Sequence, residues 1–219
     1  MKKLILFLIV FICGCSSIPF KHLSYVSFEE VDPQALRNDF LNKLPVEFEL
    51  LNSTIFKYRH FNFSSLGITR VDTLNGNLNV AGFNHLGVKL FDLSLIDKKI
   101  NCQYALPEFT RRGDFTTAAI NDIKKIYFDR IPSPSAKVKK EKYRVIFKEQ
   151  LEEGRLEYVF SGEGNFLAEK NYYLKNRKIW SIFYYNYIFN NGKVFPEGIL
   201  LKHYQYGYQL IVRLKEIRY

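Results

Sequence analysis

The fold is decided by an alternating stretch at residues 143–160, which reads YRVIFKEQLEEGRLEYVF. Two runs of large apolar residues flank Glu152-Glu153-Gly154, and in each run apolar side chains recur at every second position. Alternate side chains of a β-strand point to opposite faces, so this pattern predicts two antiparallel strands joined by a turn. One face of this hairpin then carries Tyr143, Val145, Phe147, Leu156, Tyr158 and Phe160. That face needs a covering layer elsewhere in the molecule.

Further runs rich in aromatic and β-branched residues stand on both sides of the hairpin. They occupy residues 46–51, 54–63, 68–72, 78–83, 88–97, 100–106, 166–174, 178–189, 199–204 and 209–217. Turn signals such as Asn75-Gly76 separate them at the spacing typical of consecutive antiparallel hairpins. In the last run Leu210, Val212 and Leu214 share one face, and charged residues stand on the other. This predicts a strand with one buried and one wet face.

Two short helices are predicted beside these strands. Asp32 and Pro33 are typical of a helix N-terminus, and apolar residues recur at helical spacing from there to about Pro45. Asp114 likewise begins an amphipathic helix that runs to about Phe128. Two helices are few to cover the apolar face of so many strands. We therefore expect a mainly β protein with a few helices (α+β), in which a single antiparallel sheet curves into an incomplete β-barrel with the helices as a lid.

The segment between the second helix and the hairpin is rich in lysine. Residues 137–142 contain four lysines. Such a run is typical of a solvated loop, and a patch for lipid headgroups is the alternative.

The chain is basic, with 32 Lys and Arg against 22 Asp and Glu and a formal net charge of +10. No nucleic-acid-binding motif accompanies this charge, so anionic lipid or envelope polymer is the expected counterpart rather than nucleic acid. Cys102 is the one cysteine beyond residue 15, so we expect no intrachain disulfide in the body of the protein. It lies in an apolar stretch, where a small buried residue is expected rather than a reactive thiol.

The first residues have the pattern of a secretory signal peptide. Lys2 and Lys3 precede an unbroken apolar run from Leu4 to Ile12. This run is shorter than the roughly 20 residues that a membrane-spanning helix needs, so we expect it to be removed.

The end of this run, Ile12-Cys13-Gly14-Cys15, resembles the lipobox of bacterial lipoproteins. The resemblance implies a signal peptide at 1–14, an acylated Cys15, a lipidated tether at 15–28 and one domain at 29–219. A plain signal peptide with ordinary apolar cysteines is the alternative. The same resemblance implies that Ser16, which follows the acylated cysteine, directs the lipoprotein to the outer membrane of a Gram-negative bacterium. The body of the protein is then expected to face the periplasm.

Residues 84–93 read NHLGVKLFDL and resemble a segment of the LolB outer-membrane lipoprotein receptor. In both, Leu-Gly is followed by alternating leucines. Further matches stand later in the chain, at Ile131-Pro132, Trp180, Tyr184, Pro196 and Ile199-Leu200-Leu201. The chain is closer still to an uncharacterised family of LolA/LolB-like envelope lipoproteins. Unlike LolB, it has no clear second lid helix after Pro134.

This resemblance implies an unclosed barrel whose apolar hollow holds the acyl chains of lipids or lipoproteins. The resemblance also implies that the protein is a monomer and that it interacts with a periplasmic carrier protein. The lining is then the hairpin face and the later strands: Tyr143, Val145, Phe147, Leu156, Tyr158, Phe160, Trp180, Ile182, Tyr184, Leu210, Val212 and Leu214. LolB-like proteins also touch the membrane with an apolar loop residue, and Leu66 in the expected hairpin end 64–67 is the candidate. Packing of Leu66 onto the core is the alternative.

Residues for catalysis do not assemble in this sequence. The four histidines lack partners at metal-ligand spacing, and no Gly-x-Ser-x-Gly elbow or phosphate-binding glycine loop occurs. We therefore expect neither an enzyme nor a metal or other cofactor. Two functions stay open: a carrier that transports or sorts lipid or lipoprotein in the cell envelope, and a docking lipoprotein of an envelope biosynthesis system without lipid cargo.

Overall fold

The computed structural model describes residues 20, 24–111 and 113–218. These residues form one sheet and three helices, α1 (Pro33–Lys43), α2 (Pro107–Thr110) and α3 (Phe115–Tyr127). The strands are β1 (Glu47–Tyr58), β2 (Phe61–Asp72), β3 (Asn77–Phe83), β4 (Lys89–Ile96), β5 (Lys99–Ala105), β6 (Lys137–Glu141), β7 (Arg144–Gln150), β8 (Arg155–Ser161), β9 (Phe166–Leu174), β10 (Arg177–Asn190), β11 (Lys193–His203) and β12 (Tyr208–Arg218). No helix among the described residues is long and apolar enough to cross a bilayer.

All twelve strands belong to one antiparallel sheet in the order β5-β4-β3-β2-β1-β12-β11-β10-β9-β8-β7-β6. The first and last strands meet in its middle, where Thr54 of β1 lies opposite Val212 of β12. Strands β5 and β6 end the sheet at its two edges, so the sheet does not close into a barrel. The prediction of a mainly β protein with a single unclosed antiparallel sheet is confirmed.

Both predicted long helices form, and each begins at its predicted cap. The Asp32 carboxylate accepts a hydrogen bond from the Ala35 N–H at 2.7 Å, and the Asp114 carboxylate accepts one from the Thr117 N–H at 2.9 Å. These bonds satisfy backbone donors that have no partner within the helix. The hydrogen bonds from Thr117 also lower the pKa of Asp114.

The helices cover one face of the sheet, which we call the inner face. Phe40 of α1 packs against Phe160 of β8, with ring centroids 5.4 Å apart. Tyr127 of α3 packs against Phe48 of β1 at 5.7 Å. Most buried apolar side chains belong to this layer, so the main core lies between the inner face and the two long helices. The opposite face is the outer face.

Part of the expected tether is packed on the body. Phe28 is fully buried, and its N–H donates to the Lys142 carbonyl at 2.7 Å. The Phe20 ring stacks on Tyr185 of the outer face at 5.0 Å and lies over Gly198, where an added Cβ would come within 2.4 Å of the ring. The packed body therefore begins before residue 29. The predicted signal peptide at 1–14 and Cys15 lie outside the described residues.

The prediction of a loop at residues 137–142 is wrong, because residues 137–141 form β6. This strand pairs with β7, and Val138 lies opposite Phe147. Lysine is favoured on an edge strand, since its charge discourages a further strand from adding to the sheet. The lysine run marks a sheet edge.

The prediction that Cys102 is buried is also wrong. Its side chain is exposed, since it lies in the middle of β5, the other edge strand. This strand has a neighbour on one side only, and six of its seven residues are exposed. An apolar stretch at a sheet edge can therefore stay accessible.

Leu66 does not lie in a hairpin end, contrary to the prediction for residues 64–67. These residues are inside β2, and Leu66 pairs with Ser53 and Phe83. The turn is at residues 59–60, where Arg59 adopts a left-handed backbone with φ of 52°. Leu66 is half-buried on the outer face, so it cannot serve as a loop tip.

Candidate functional site

Eleven of the twelve residues predicted to line a hollow meet in one cluster on the inner face. Leu210 and Leu214 are partly buried, and the other nine are buried: Val145, Phe147, Leu156, Tyr158, Phe160, Trp180, Ile182, Tyr184 and Val212. The strand register explains this grouping. It aligns Tyr184, Ile199 and Val212 in one row across β10, β11 and β12. The sheet thus presents a continuous apolar surface to the helices.

Tyr143 is the exception, and its assignment to this face is wrong. It lies in the turn before β7 and is 43% exposed. Its ring meets the ring of Tyr25 edge-on at 5.7 Å. The alternation of β7 begins only at Arg144, so Tyr143 is not held in the strand pleat.

The inner face is filled by the helices in this structure. Phe40 of α1 reaches the middle of the cluster and contacts the rings of Phe160 and Tyr187. Ile120 of α3 is fully buried against Leu78 and Leu93 at the other end of the sheet. An acyl chain can therefore bind to the inner face only if helix side chains move away from it.

Three side chains of the sheet hold α3 in place. Tyr208 donates to the Asp122 carboxylate at 2.5 Å, and Tyr184 donates to the Ile126 carbonyl at 2.8 Å. The Lys170 ammonium donates to the carbonyls of Phe128 at 2.9 Å and Lys125 at 3.3 Å. These carbonyls end the helix, where a positive charge is favourable. The lid is thus held by a few polar contacts as well as by packing.

Two basic residues near the end of α3 are buried, and sequence reasoning missed both. Lys170 is 2% exposed and Arg130 is 4% exposed. Burial lowers the pKa of Lys170 to about 8, although Asp129 acts in the opposite direction. Burial raises the pKa of the Tyr127 phenol to about 12, and the Arg130 charge lowers it in part. The apolar inner face therefore contains positive charge at one point.

Comparisons with known proteins bear on the fold. No family model and no curated protein matches the sequence. An outer membrane lipoprotein-sorting protein domain from Vibrio parahaemolyticus superposes with a TM-score of 0.53 at 7% identity, over 84% of this chain and 89% of that one. A LolA superfamily protein from Nitrosomonas europaea gives a TM-score of 0.50 at 10% identity, over 86% and 93%. The chain has a LolA-like fold. At these identities the likeness establishes the fold alone.

Within this LolA-like fold, the outer face carries a groove of about 680 Å³. Its floor includes Val159, Phe183 and Leu200, and its rim includes Arg144 and Lys202. The groove lies beside the packed N-terminal segment, and Tyr143 and Tyr184 are the two residues of the predicted lining that border it.

Among the described residues, the most exposed leucine is at the turn between β3 and β4. Leu86 is 89% exposed, and Val88 beside it is 52% exposed. The turn is well defined, because the Asn84 side-chain oxygen accepts from the N–H groups of Leu86 and Val88, both at 2.9 Å. Leu74, which is 81% exposed, lies in the β2–β3 turn at the opposite end of the strands.

Metal-binding side chains are not grouped in the described ranges. None of them contains three or more His, Cys, Asp or Glu side chains placed to hold a metal ion.

Proposed function

We propose that this LolA-like protein is a non-catalytic carrier that binds acyl chains of lipids or lipoproteins on the inner face of its sheet. The observation that supports this most is the continuous apolar row of the inner face, which only two long helices cover in the part of the chain that the structure describes. Apolar pockets with few polar groups are the usual sites for such ligands. Each buried methylene contributes about 0.8 kcal/mol, so a long chain can replace the packing of a helix.

Displacement of α3 is the proposed route for the ligand. The helix contributes Ile120, Ile126 and Tyr127 to the core, and an acyl chain would take the place of these side chains. The polar contacts from Tyr184, Tyr208 and Lys170 would then break. The acyl chain therefore replaces the apolar side chains of α3 on the inner face.

The proposed location is the periplasmic side of the outer membrane of a Gram-negative bacterium. It rests on the lipobox-like sequence that ends at Cys15, whose acyl chains, palmitate among them, would anchor the protein. Two or more acyl chains hold a protein firmly at a membrane, whereas one gives marginal binding. A periplasmic carrier is the proposed source of the cargo, and the protein acts as a monomer.

Leu86 takes the membrane-touching role that Leu66 cannot have. We expect a Leu86→Trp substitution, in a Trp180→Phe background, to place an indole in the lipid when the lipidated protein is reconstituted into vesicles. Brominated phospholipids should then quench its emission strongly. The matched control is Leu74→Trp at the opposite end of the strands, which should stay unquenched. Equal quenching of the two would reject the tip as a membrane contact.

Filling the inner face should block the cargo. We expect Val212→Trp to weaken binding of a fluorescent long-chain fatty acid by about tenfold or more, because the larger ring occupies space that the chain needs. The control is Ile211→Trp, its neighbour on the outer face, which is similarly buried at 8% against 6%. Binding should be measured on the purified full-length protein in neutral detergent, with melting temperatures recorded for both variants.

Two outcomes of this titration would count against the carrier. If the control weakens binding and Val212→Trp does not, the ligand lies in the outer groove. If the wild-type protein binds no acyl ligand at all, the docking lipoprotein without cargo becomes the better account.

A further inference from the structure

Arg130 is a buried cation without an ionic partner in the described part of the chain. It follows α3 by three residues and is 4% exposed. Its Nε is buried and has no hydrogen-bond partner. No carboxylate of residues 24–111 or 113–218 lies within 4.0 Å of its guanidinium nitrogens. Such a group is costly to bury, because it loses its water and forms no close ion pair.

The surroundings of Arg130 belong to the inner face. Its positive charge acts on the phenols of Tyr127, Tyr184 and Tyr187, where it lowers the pKa in opposition to burial, which raises it. It also acts on Lys170, where it adds to the effect of burial in lowering the pKa. Arg130 therefore lies among side chains that the carrier would offer to an acyl ligand.

Two of the three neighbouring hydroxyl groups already donate to backbone carbonyls in this arrangement. Tyr184 donates its proton to the Ile126 carbonyl and Tyr187 donates to the Leu167 carbonyl, both at 2.8 Å. Lys170 uses two of its three protons on helix carbonyls. The guanidinium has five N–H donors in a planar fork and, as far as the structure describes the chain, no ionic partner before α3 moves, so it is the main donor for an oxyanion. Displacement of α3 would free the Lys170 ammonium and the Tyr184 hydroxyl as further donors.

We propose that Arg130 binds the anionic head of the lipid ligand, a carboxylate or a phosphate carried on an acyl chain. The proposal rests on the carrier function and adds a ligand class to it. The chain packs on the apolar inner face while the oxyanion pairs with the guanidinium, which gives Arg130 the partner that it lacks. Charge-assisted bonds of this kind are short, strong and often bidentate. The carrier then selects anionic amphiphiles over neutral ones.

The test compares ligands that differ only in the head. Palmitate, methyl palmitate and palmitoyl lysophosphatidic acid are each titrated against a displaceable fluorescent fatty acid on the purified full-length protein in neutral detergent. We expect palmitate to bind at least tenfold more tightly than its methyl ester, a difference of about 1.4 kcal/mol. Tighter binding of the lysophosphatidic acid than of palmitate identifies phosphate as the preferred head, and the reverse order identifies carboxylate.

The variant Arg130→Met should lose the preference for palmitate and keep its affinity for the methyl ester. Its melting temperature should equal or exceed that of the wild type, since an unpaired buried charge is removed. The control is Arg177→Met, an exposed arginine of β10, which should keep the full preference.

Equal binding of palmitate and methyl palmitate to the wild type would overturn the proposal and leave the carrier function standing. A preference that survives in Arg130→Met would also overturn it. Absence of binding by every ligand would instead count against the carrier function itself. The wild-type comparison decides the matter even if the variant does not fold.

Discussion

Replacing Phe160 with alanine is expected to lower the free energy of unfolding by about 3–5 kcal/mol, the range for loss of a fully buried aromatic ring. Phe160 is 0% exposed and contacts the rings of Phe40 at 5.4 Å and Phe147 at 5.5 Å. Its removal leaves a cavity between α1 and the sheet. Urea unfolding of the purified protein measures the change.

The matched control for this substitution is Phe61→Ala. Phe61 is 51% exposed at the start of β2, so its removal should change stability by about 0.5 kcal/mol or less. Similar losses at the two positions would mean that Phe160 is not in a packed core. A small loss at both would mean that the helices do not cover the inner face.

Stability should rise with pH because of Lys170. Its pKa is about 8 in the folded protein and 10.5 in the unfolded reference. Between these values the unfolded chain binds a proton that the native state does not, so the free energy of unfolding increases with pH. The expected gain is about 2 kcal/mol between about pH 7 and about pH 9.5.

Buried tyrosines set the upper limit of this gain. Burial raises the pKa of Tyr127 from 10.0 to about 12, so above about pH 10 the unfolded chain loses a phenol proton that the native state keeps. Stability then falls with further increase of pH. The maximum is therefore expected between about pH 9 and about pH 10.

The comparison variant for the pH profile is Lys170→Met, measured by urea unfolding at each pH. It should show no rise between about pH 7 and about pH 9.5, because the titrating ammonium is gone. A wild-type profile that is flat or falling over this range, or a variant that rises in parallel with it, would contradict the burial of a titrating Lys170.

The sequence predicted those features that depend on residues close together in the chain, such as the repeat of apolar side chains along a strand. Alternation along residues 143–160 and 209–217 identified the inner face, because side chains of a strand change face at every residue. Asp32 and Asp114 identified the helix starts, since an N-cap needs only its own carboxylate and the next turn of the chain. That alternation, with the family resemblance, placed eleven of the twelve residues on one face, and their role in lining a ligand site stays a prediction.

Turns without glycine were harder to predict. Arg59 takes the left-handed backbone at the β1–β2 turn, and nothing in its side chain signals this. Gly67 resembles a turn signal but lies inside β2, where the nearest atom to an added Cβ is the Ala81 carbonyl oxygen at 3.8 Å. The choice between these positions is made by pairing with the neighbouring strands. Leu66 was misplaced for that reason.

Sheet edges and buried charges depend on contacts far apart in the chain. Cys102 is exposed because β5 has no second neighbour, and the lysines of 137–141 form a strand because β7 pairs with them. For Lys170 a signal was present, since it lies two residues before Tyr172 and therefore on the same face of β9. Arg130 follows a helix end like many exposed arginines, and its burial results from packing between α3 and distant strands.

Mass spectrometry of the organic extract tests the carrier account most directly. The full-length protein is purified in a neutral detergent and extracted with chloroform and methanol, and the extract of the Val212→Trp variant is analysed beside it. The account predicts one molecule of an acyl lipid per protein in the wild type, rich in species with a carboxylate or phosphate head, and a marked loss of this lipid in the variant. An extract without acyl lipid, or the same lipid in equal amount from both proteins, would contradict binding on the inner face.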